Sequence, residues 1–418
     1  MRIVRLGPDA TAADVRALVP PPRNVQADVA AILGEVRAGG DAAVIELTER
    51  FDHAELGPEE LAVPPAEIDN AVAALEPAVL AGLRTAMANV REVARAQLRE
   101  PLRVELDAGH TVDVAEVPVR RAAAYVPGGR APYPSTVVMC AVTAREAGVD
   151  ELAVCAPPGP GGRAHPTILA ACGLCGVNEV YRMGGAQAIG ALAYGTESVR
   201  PVDVIVGPGN RYVAEAKRQV AGDVGIDGVA GPSELVVVAG AGADPDLVAL
   251  DLLAQGEHGP DTLLAAISPD RDLLGAVERA IEAQAEERPT VVADGIALVE
   301  ARNAASAIGL ADEVAPEHLE LVGAEVEGLA DRVRSAGCVF VGRDGATAFG
   351  DYVAGSNHVL PTGGAARFQS ALSVATFRRR MARISLPDGA AARLAPPGAA
   401  LARAEGFPVH GESMERRA

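Results

Sequence analysis

Four short stretches gather the side chains that could do chemistry. Gln255-Gly256-Glu257-His258-Gly259-Pro260 ends a segment with helical spacing, and the interval puts Gln255 and His258 on one face of its last turn. An imidazole together with a carbonyl or carboxylate oxygen suits zinc or a similar divalent ion. Two such ligands are too few, and Asp351, His358 and His410 are the candidates to complete the set. His258, His358 and the stretch before His410 lie in glycine-rich, non-periodic segments, where packing does not account for them. Pro316-Glu317-His318-Leu319-Glu320 sets a carboxylate beside an imidazole in a loop or helix start, a pairing suited to general-base work on two different protons. An exposed first helical turn, where the dipole favours acids, explains Glu317 well and His318 poorly.

Glycine turns form the second group. Val206-Gly207-Pro208-Gly209-Asn210 follows a strand pattern and opens a helix, the setting of a phosphate turn, although Tyr212 stands where a third glycine would be. Gly240-Ala241-Gly242 also follows a strand, but Asp244 heads the next helix and would repel phosphate. Tyr125-Val126-Pro127-Gly128-Gly129 and Met183-Gly184-Gly185-Ala186-Gln187 are further turns of this kind. Each reads first as a structural turn; several in one block point to a nucleotide site near the strand C-termini. Cys172-Gly173-Leu174-Cys175 has no second cysteine pair and sits late in an alanine-rich helix, so it reads as small core side chains.

The elements that must position these groups follow from periodicity. Asn24 opens a helix that should stop at Gly39–Gly40, and a longer one follows Pro64–Pro65 to about Arg99, broken or kinked at Pro77. Ser135 caps an apolar helix ending at Gly148. From there strands 151–156, 179–183, 202–206 and 235–239 alternate with helices from Pro166, Ala186 and Asn210, which is the pattern of parallel βαβ units. The alternation resumes with a helix opened by Asp244-Pro245, a strand at 263–267, a helix at 271–286 and a strand at 336–341. Beyond Thr362 strand signals give way to a helical tail too poor in periodic apolar positions to form its own core. The fold class expected is α/β, with two incomplete Rossmann-like parallel-sheet domains and small helical terminal segments in an intertwined dimer. The expected units are an arm at 1–22, a discontinuous domain of 23–124 with 235–371, a second domain at 125–234, and the tail at 372–418.

Composition bounds the function. The 418 residues carry a formal net charge of −19, which repels phosphate backbones and disfavours nucleic acid as a partner. The one basic run, Arg378-Arg379-Arg380, reads as a solvated helix face. Lys217 is the only lysine; no Gly-Lys-Ser/Thr tripeptide exists, so a Walker-type hydrolase is excluded, and Schiff-base chemistry could rest only on Lys217. With no tryptophan and 3% aromatic residues, the cores must be built from Ala, Val, Leu and Ile. Five cysteines are too few and odd in number for a disulfide framework. The N-terminal residues lack the apolar run of a signal peptide and no stretch is apolar enough for a membrane span, so a cytoplasmic, reduced setting with no membrane partner is expected.

Taken together, Tyr125-Val126-Pro127-Gly128-Gly129-Arg130-Ala131, Gly184-Gly185-Ala186-Gln187-Ala188, Gly207-Pro208-Gly209-Asn210, Ala230-Gly231-Pro232-Ser233-Glu234, Gln255-Gly256-Glu257-His258-Gly259, Ala315-Pro316-Glu317-His318-Leu319 and Asn357-His358-Val359-Leu360-Pro361 occur in one order. This set closely resembles the histidinol dehydrogenase family along nearly the whole chain. The resemblance implies oxidation of L-histidinol to L-histidinaldehyde and then L-histidine, with reduction of two NAD molecules. It also implies one zinc ion per subunit, held by Gln255, His258, Asp351 and His410. Glu317 and His318 would be the catalytic bases. Ser233, His358 and Glu405 would line the substrate site, which Gln255, His258, His318, Asp351 and His410 would share; Tyr125, Gln187 and Asn210 would hold NAD. It further implies a homodimer whose C-terminal tail reaches into the partner's site. The tail motif Glu405-Gly406-Phe407-Pro408-Val409-His410 departs from the family pattern between its ends but keeps the spacing of Glu and His.

Two successive oxidations need two bases: a neutral imidazole for the alcohol proton, and a carboxylate for the water that adds to the aldehyde. No cysteine lies in the motifs, which argues against a thiohemiacetal route. The alternatives are a relative acting on another small primary alcohol such as a sulfonated diol, a zinc hydrolase using Glu317, and a noncatalytic metal-binding protein. The glycine-turn block opposes the hydrolase, and Glu405 with His410 favours the amino alcohol.

Overall fold

In the computed structural model, which describes residues 1–20, 23–128 and 131–418, the chain forms fourteen strands. In chain order these are β1 (Arg2–Leu6), β2 (Leu102–Glu105), β3 (Thr111–Pro118), β4 (Arg121–Tyr125), β5 (Glu151–Ala156), β6 (Glu179–Arg182) and β7 (Val204–Val206). They continue as β8 (Gly225–Ile226), β9 (Glu234–Ala239), β10 (Leu263–Ser268), β11 (Gly295–Glu300), β12 (His318–Val322), β13 (Cys338–Val341) and β14 (Arg378–Ser385). Pro21, Pro22, Gly129 and Arg130, which belong to the expected boundary and to the Tyr125 motif, lie outside the described residues.

Two parallel sheets carry the fold, with strand orders β6-β5-β4-β7-β8 and β1-β11-β10-β9-β12-β13. In each, the first strand of the unit (β4 or β9) lies inside the sheet. The chain winds to one side of it and then crosses back to add the next strand on the other. That order places helices on both faces, so alternate residues of one strand enter different cores. In β4, Ala122 and Ala124 face one core while Ala123 and Tyr125 face the other. In β9, Leu235, Val237 and Ala239 alternate with Val236 and Val238 in the same way. The cores are made almost wholly of aliphatic side chains, as the composition requires.

The expected α/β class and most βαβ elements are present, with several differences. Ser135 does not cap: Pro134 opens the helix Pro134–Glu146 and Ser135 is buried inside it. Proline at the first helical position explains the start. The helix near the N-terminus bends at Gly40, in the left-handed region at φ 55°, and resumes to Asp52. Pro77 separates Pro65–Ala73 from Pro77–Ala96, which meet at 109°. The Arg378–Arg380 run is no helix face. It starts β14, which pairs antiparallel with β3 and, through it, β2 in a separate three-stranded sheet. This sheet is exposed along most of β2 and β14, so it lacks the one-sided alternation that betrays a strand.

The three long helices within residues 23–124, expected to join 235–371, pack instead on the β4–β8 unit. The helix Gln26–Asp52 lies on Gly185–Tyr194, Pro65–Ala73 on Pro166–Leu174, and Pro77–Ala96 on Pro134–Glu146. The expected N-terminal arm is a working part of the other sheet, where β1 pairs with β11. No single helix among the described residues is long and apolar enough to cross a membrane.

Candidate active site

The groups expected to act as bases sit at the N-terminal edge of the second sheet. Pro316 and Glu317 lead into β12, so His318 is the first residue of a strand and not part of a loop or helical turn. That strand runs between β9 and β13, with His318 opposite Leu235 and Cys338. Glu317 and His318 are both buried, which removes the exposed helix-turn explanation of Glu317.

Their burial is compensated by a dense set of hydrogen bonds. Glu317 Oε2 accepts from the Ser233 hydroxyl at 2.6 Å and from the Glu234 backbone N–H at 2.9 Å. In return the Glu317 N–H donates to Glu234 Oε2 at 3.2 Å. Gln255 Nε2 donates to Ser233 Oγ at 2.6 Å. Both bonds to the Glu317 carboxylate end on Oε2, so Oε1 is the oxygen left to face a water. Burial pushes the Glu317 carboxyl up to about 7, against the pull of the neighbouring imidazole and the Ser233 hydroxyl.

His318 Nδ1 lies 3.2 Å from the Glu234 carbonyl oxygen, which can only accept, so this nitrogen carries the proton. Nε2 is then the basic nitrogen of the neutral ring, and it faces Asp351 Oδ1 at 3.4 Å. Burial disfavours the imidazolium, but Glu317 and Asp351 outweigh it and push His318 up to about 9. Burial likewise opposes a charged Asp351, yet the His318 ring holds its carboxyl below the usual range.

Asp351 rides on the short helix Thr347–Tyr352, and Glu320 fixes that helix to β12. Its Oε1 accepts from both the backbone N–H and the hydroxyl of Thr347, at 2.7 and 2.5 Å. His358 secures the other end. Its Nδ1 bonds the Asp351 carbonyl at 2.8 Å and its Nε2 meets Thr136 Oγ1 at 3.0 Å. Both ring nitrogens are therefore engaged within the chain. Gln255 is the last residue of the helix Pro245–Gln255 and is buried, whereas His258 lies past its end in an exposed turn. The charge of His258 still reaches Asp351.

Among the described residues, no three His, Cys, Asp or Glu side chains converge to hold a metal ion. The donor types nevertheless suit one: an ionised Asp351, the His258 imidazole and a Gln255 whose bonds use only Nε2. A fourth donor must come from elsewhere. Glu405 and His410 are exposed and do not join this group; His410 lies in the helix Pro408–Glu415, not in an irregular segment, and stacks on Phe407 with ring centroids 5.3 Å apart.

The residues expected to hold a dinucleotide come together at the other sheet. Tyr125, Gln187 and Asn210 line one cavity of about 1280 Å³. It opens at the C-terminal ends of β4 and its neighbours, the side of a doubly wound sheet where ligands settle beside the crossover. Asn210 Oδ1 caps the helix Arg211–Val220 by accepting from Tyr212 and Val213, which leaves its amide NH₂ for a ligand. Tyr125 OH accepts from the Gly185 N–H at 3.2 Å, and Gln187 Nε2 reaches Asp52 at 3.4 Å. Asp52 also lines the cavity, where burial pushes its carboxyl up to about 6; no local pattern marked it. Glu317 and His318 do not line the cavity. Among the contacts between the halves is that of Thr136 with His358, made from the helix Pro134–Glu146.

Other candidates fall away. The turn at Gly240–Gly242 is closed by acids, since Ala241 N–H donates to Glu325 and Gly323 N–H to Glu327. All five cysteines are free, and burial pushes their thiols up, including Cys338 beside His318, so none is an activated nucleophile. Lys217 is buried and absent from the cavity lining, which removes a Schiff base.

Residues 21–418 match the family model described as histidinol dehydrogenase. The histidinol dehydrogenase of Cereibacter sphaeroides is 47% identical over 400 residues, covering 94% of this chain and 92% of that one. Those of Gluconobacter oxydans and Parasynechococcus marenigrum are 44% and 45% identical over 94% of this chain, and 93% and 91% of theirs. The crystal structure of histidinol dehydrogenase from Elizabethkingia anophelis superposes with a TM-score of 0.92 at 31% identity, covering all of this chain and 98% of that one. The chain belongs to the histidinol dehydrogenase family. It is thus an oxidoreductase of the dehydrogenase class.

Glu320 gives a test of the buried acid cluster. Burial and the nearby Asp251 push its carboxyl up to about 7, and Asp251 is itself pushed up to about 6 by burial. A carboxyl that keeps its proton in the folded chain after the unfolded chain has lost it makes stability fall as pH rises through that interval. Glu320→Gln keeps an acceptor for Thr347 and cannot ionise. It should be more stable than the parent at pH 8 by about 1–3 kcal/mol, with the gap closing toward pH 4.5. Urea unfolding at the two pH values checks this.

Proposed function

We propose that this chain oxidises L-histidinol to L-histidine through L-histidinaldehyde, with two successive hydride transfers to NAD in a zinc-dependent active site. The observation that carries the reading is the pair of buried bases, Glu317 and His318, whose outward atoms differ in kind and whose remaining atoms are fixed by Glu234 and Ser233.

Bound through Gln255, His258, Asp351 and His410, zinc would hold the substrate's imidazole and amine and so fix the alcohol carbon. Tyr125, Gln187 and Asn210 line the cavity that would hold NAD, which would supply the hydride acceptor. In the first oxidation His318 Nε2 takes the hydroxyl proton. For this the ring must be neutral, and an Asp351 carboxylate committed to a cation no longer sustains the imidazolium. In the second, Glu317 Oε1 takes a proton from the water that adds to the aldehyde, while Ser233 and the Glu234 N–H hold Oε2. Ser233 and His358 would line the substrate site, with His358 also bracing Asp351.

The tail supports a shared site. β2, β14, the helices Ala390–Ala404 and Pro408–Glu415 and the residues that join them expose Leu102, Met381, Ile384, Leu386, Leu401, Phe407 and Val409. An arm that presents so many apolar side chains around Glu405 and His410 suits burial against a second copy in a symmetric dimer.

The central assay supplies L-histidinol and NAD and counts NADH per substrate consumed. Two are expected. Glu317→Gln should bring the ratio toward one, with aldehyde captured by a carbonyl reagent and a rate loss in the second step of about 10²–10⁴-fold. A ratio still at two with a mild rate loss would refute the role of Glu317.

Removing metal with a chelator should abolish turnover, and added zinc should restore it. Full activity in protein shown by elemental analysis to be metal-free would sink the zinc reading.

Sharing of the site is tested with two inactive variants, His410→Ala and Asp351→Ala, unfolded and refolded together. In a mixed dimer one site receives Gln255, His258 and Asp351 from the first chain and His410 from the second. Partial recovery is expected from the mixture and none from either variant alone. Mixed dimers proven by native mass measurement yet inactive would overturn the exchange.

A further inference from the structure

The only lysine of the chain has no part in the chemistry above, yet it is among the largest fully buried side chains. Lys217 lies two turns into the helix that Asn210 caps. Its Nζ donates to the Gly207 carbonyl at 2.9 Å and pairs with Asp227 Oδ1. The second oxygen of Asp227 accepts from the Gly207 N–H at 2.7 Å. The ion pair therefore grips both polar groups of one residue.

Gly207 is the residue that can least afford to move. It adopts φ 110°, and a Cβ there would collide with the Tyr125 carbonyl oxygen. The backbone after β7 is thus pressed against the end of β4, at the crossover where the cavity opens. Three residues later Asn210 caps its helix on the cavity wall. Among the described residues, no other hydrogen bond reaches the Gly207 N–H or C=O.

We propose that Lys217 and Asp227 are positioning residues for the cofactor, clamping Gly207 so that the Gly207–Asn210 turn and Tyr125 meet the dinucleotide in one fixed geometry. The chemistry of the site explains the choice of residue. All 36 other basic residues are arginine, whereas this enclosed space takes a compact ammonium whose donors can point to two acceptors at once. Asp227 is held in turn by Gln369, whose Nε2 donates to its carbonyl oxygen at 2.9 Å.

This inference rests on the cavity being the NAD site, and the experiment separates the two. Full-length, zinc-loaded enzyme is prepared as the parent, Asn210→Ala, Asp227→Asn and the double variant Lys217→Met/Asp227→Leu. NADH affinity is measured by fluorescence titration, with melting temperature and the KM values for NAD and L-histidinol alongside. Replacing a buried ion pair with apolar side chains need not lower stability. The double variant should therefore melt near the parent while binding NADH about tenfold or more weakly, as expected when charge-assisted bonds to the turn are lost. KM for NAD should rise with it while KM for L-histidinol stays within about twofold. NADH affinity at the parent's level in the double variant, with Asn210→Ala impaired, overturns the clamp and leaves the cavity reading intact. Parental affinity in both overturns the two together. Should the double variant fail to fold, Asp227→Asn, which keeps the shape, decides by the same measure. A loss of affinity matched by equal losses in melting temperature and L-histidinol KM would mark a merely structural role.

Discussion

Glu234, which begins β9, and Glu317, which immediately precedes the neighbouring parallel strand β12, satisfy each other's backbone, and the second half of the molecule is organised around that exchange. The Glu234 N–H donates to the Glu317 carboxylate, and the Glu317 N–H donates to the Glu234 carboxylate. The N-terminal edge of a parallel sheet presents N–H groups with no strand partner, and burying them unpaired would cost a hydrogen bond each. Carboxylates answer that need, and they bring negative charge to an enclosed place. Arg16, reaching in from near the N-terminus, pairs with Glu234 Oε1 at 2.9 Å, and the Gly363 N–H adds another bond to the same oxygen. Segments from both ends of the sequence are thus drawn to one edge by a single buried charge.

The two doubly wound sheets share a strand order but use opposite edges. In the β4–β8 sheet the crossover between β4 and β7 leaves an open crevice at the strand C-termini, the usual place for a ligand. In the second sheet the equivalent crossover lies between β9 and β12, and there Glu325 and Glu327 occupy the backbone donors that a phosphate would need. Its reactive groups collect at the other end of the same strands. A repeated architecture therefore does not repeat its site; what differs is which edge keeps unoccupied donors and which edge hosts charge.

Much of this was legible from residue patterns, within limits that have physical causes. Runs such as Glu151–Ala156 and Leu263–Ser268 are apolar throughout because both faces are covered, so they stand out between helices. Glycine turns and the candidate bases were visible because their residue types are rare in packing roles. The Arg378–Ser385 strand was not, since neither of its faces is buried in the chain. The grouping of residues 23–124 failed for another reason: amphipathic helices announce a buried face but not which sheet it covers. His318 looked like a loop residue because Pro316 precedes it, although the polar–apolar alternation of His-Leu-Glu-Leu marks a strand. Contacts such as Arg16 to Glu234, Lys217 to Asp227 and Thr136 to His358 join residues whose partners no local spacing specifies.

The same buried charge explains how adjacent bases can do different work. Glu317 and His318 lie 3.7 Å apart and each shifts the other, so neither titrates as an isolated group. Their outward atoms diverge: Glu317 Oε1 is left over after Ser233 and Glu234 have claimed Oε2, while His318 Nε2 is turned to Asp351 by the Glu234 carbonyl at Nδ1. Glu234 thus sets both, through its N–H on one side and its carbonyl on the other. A carboxyl near 7 can give up its proton at neutral pH and take one from water. Against the effect of burial, the His318 ring is pushed up to about 9, first by Glu317 and then by Asp351, so both carboxylates bear on whether it is neutral.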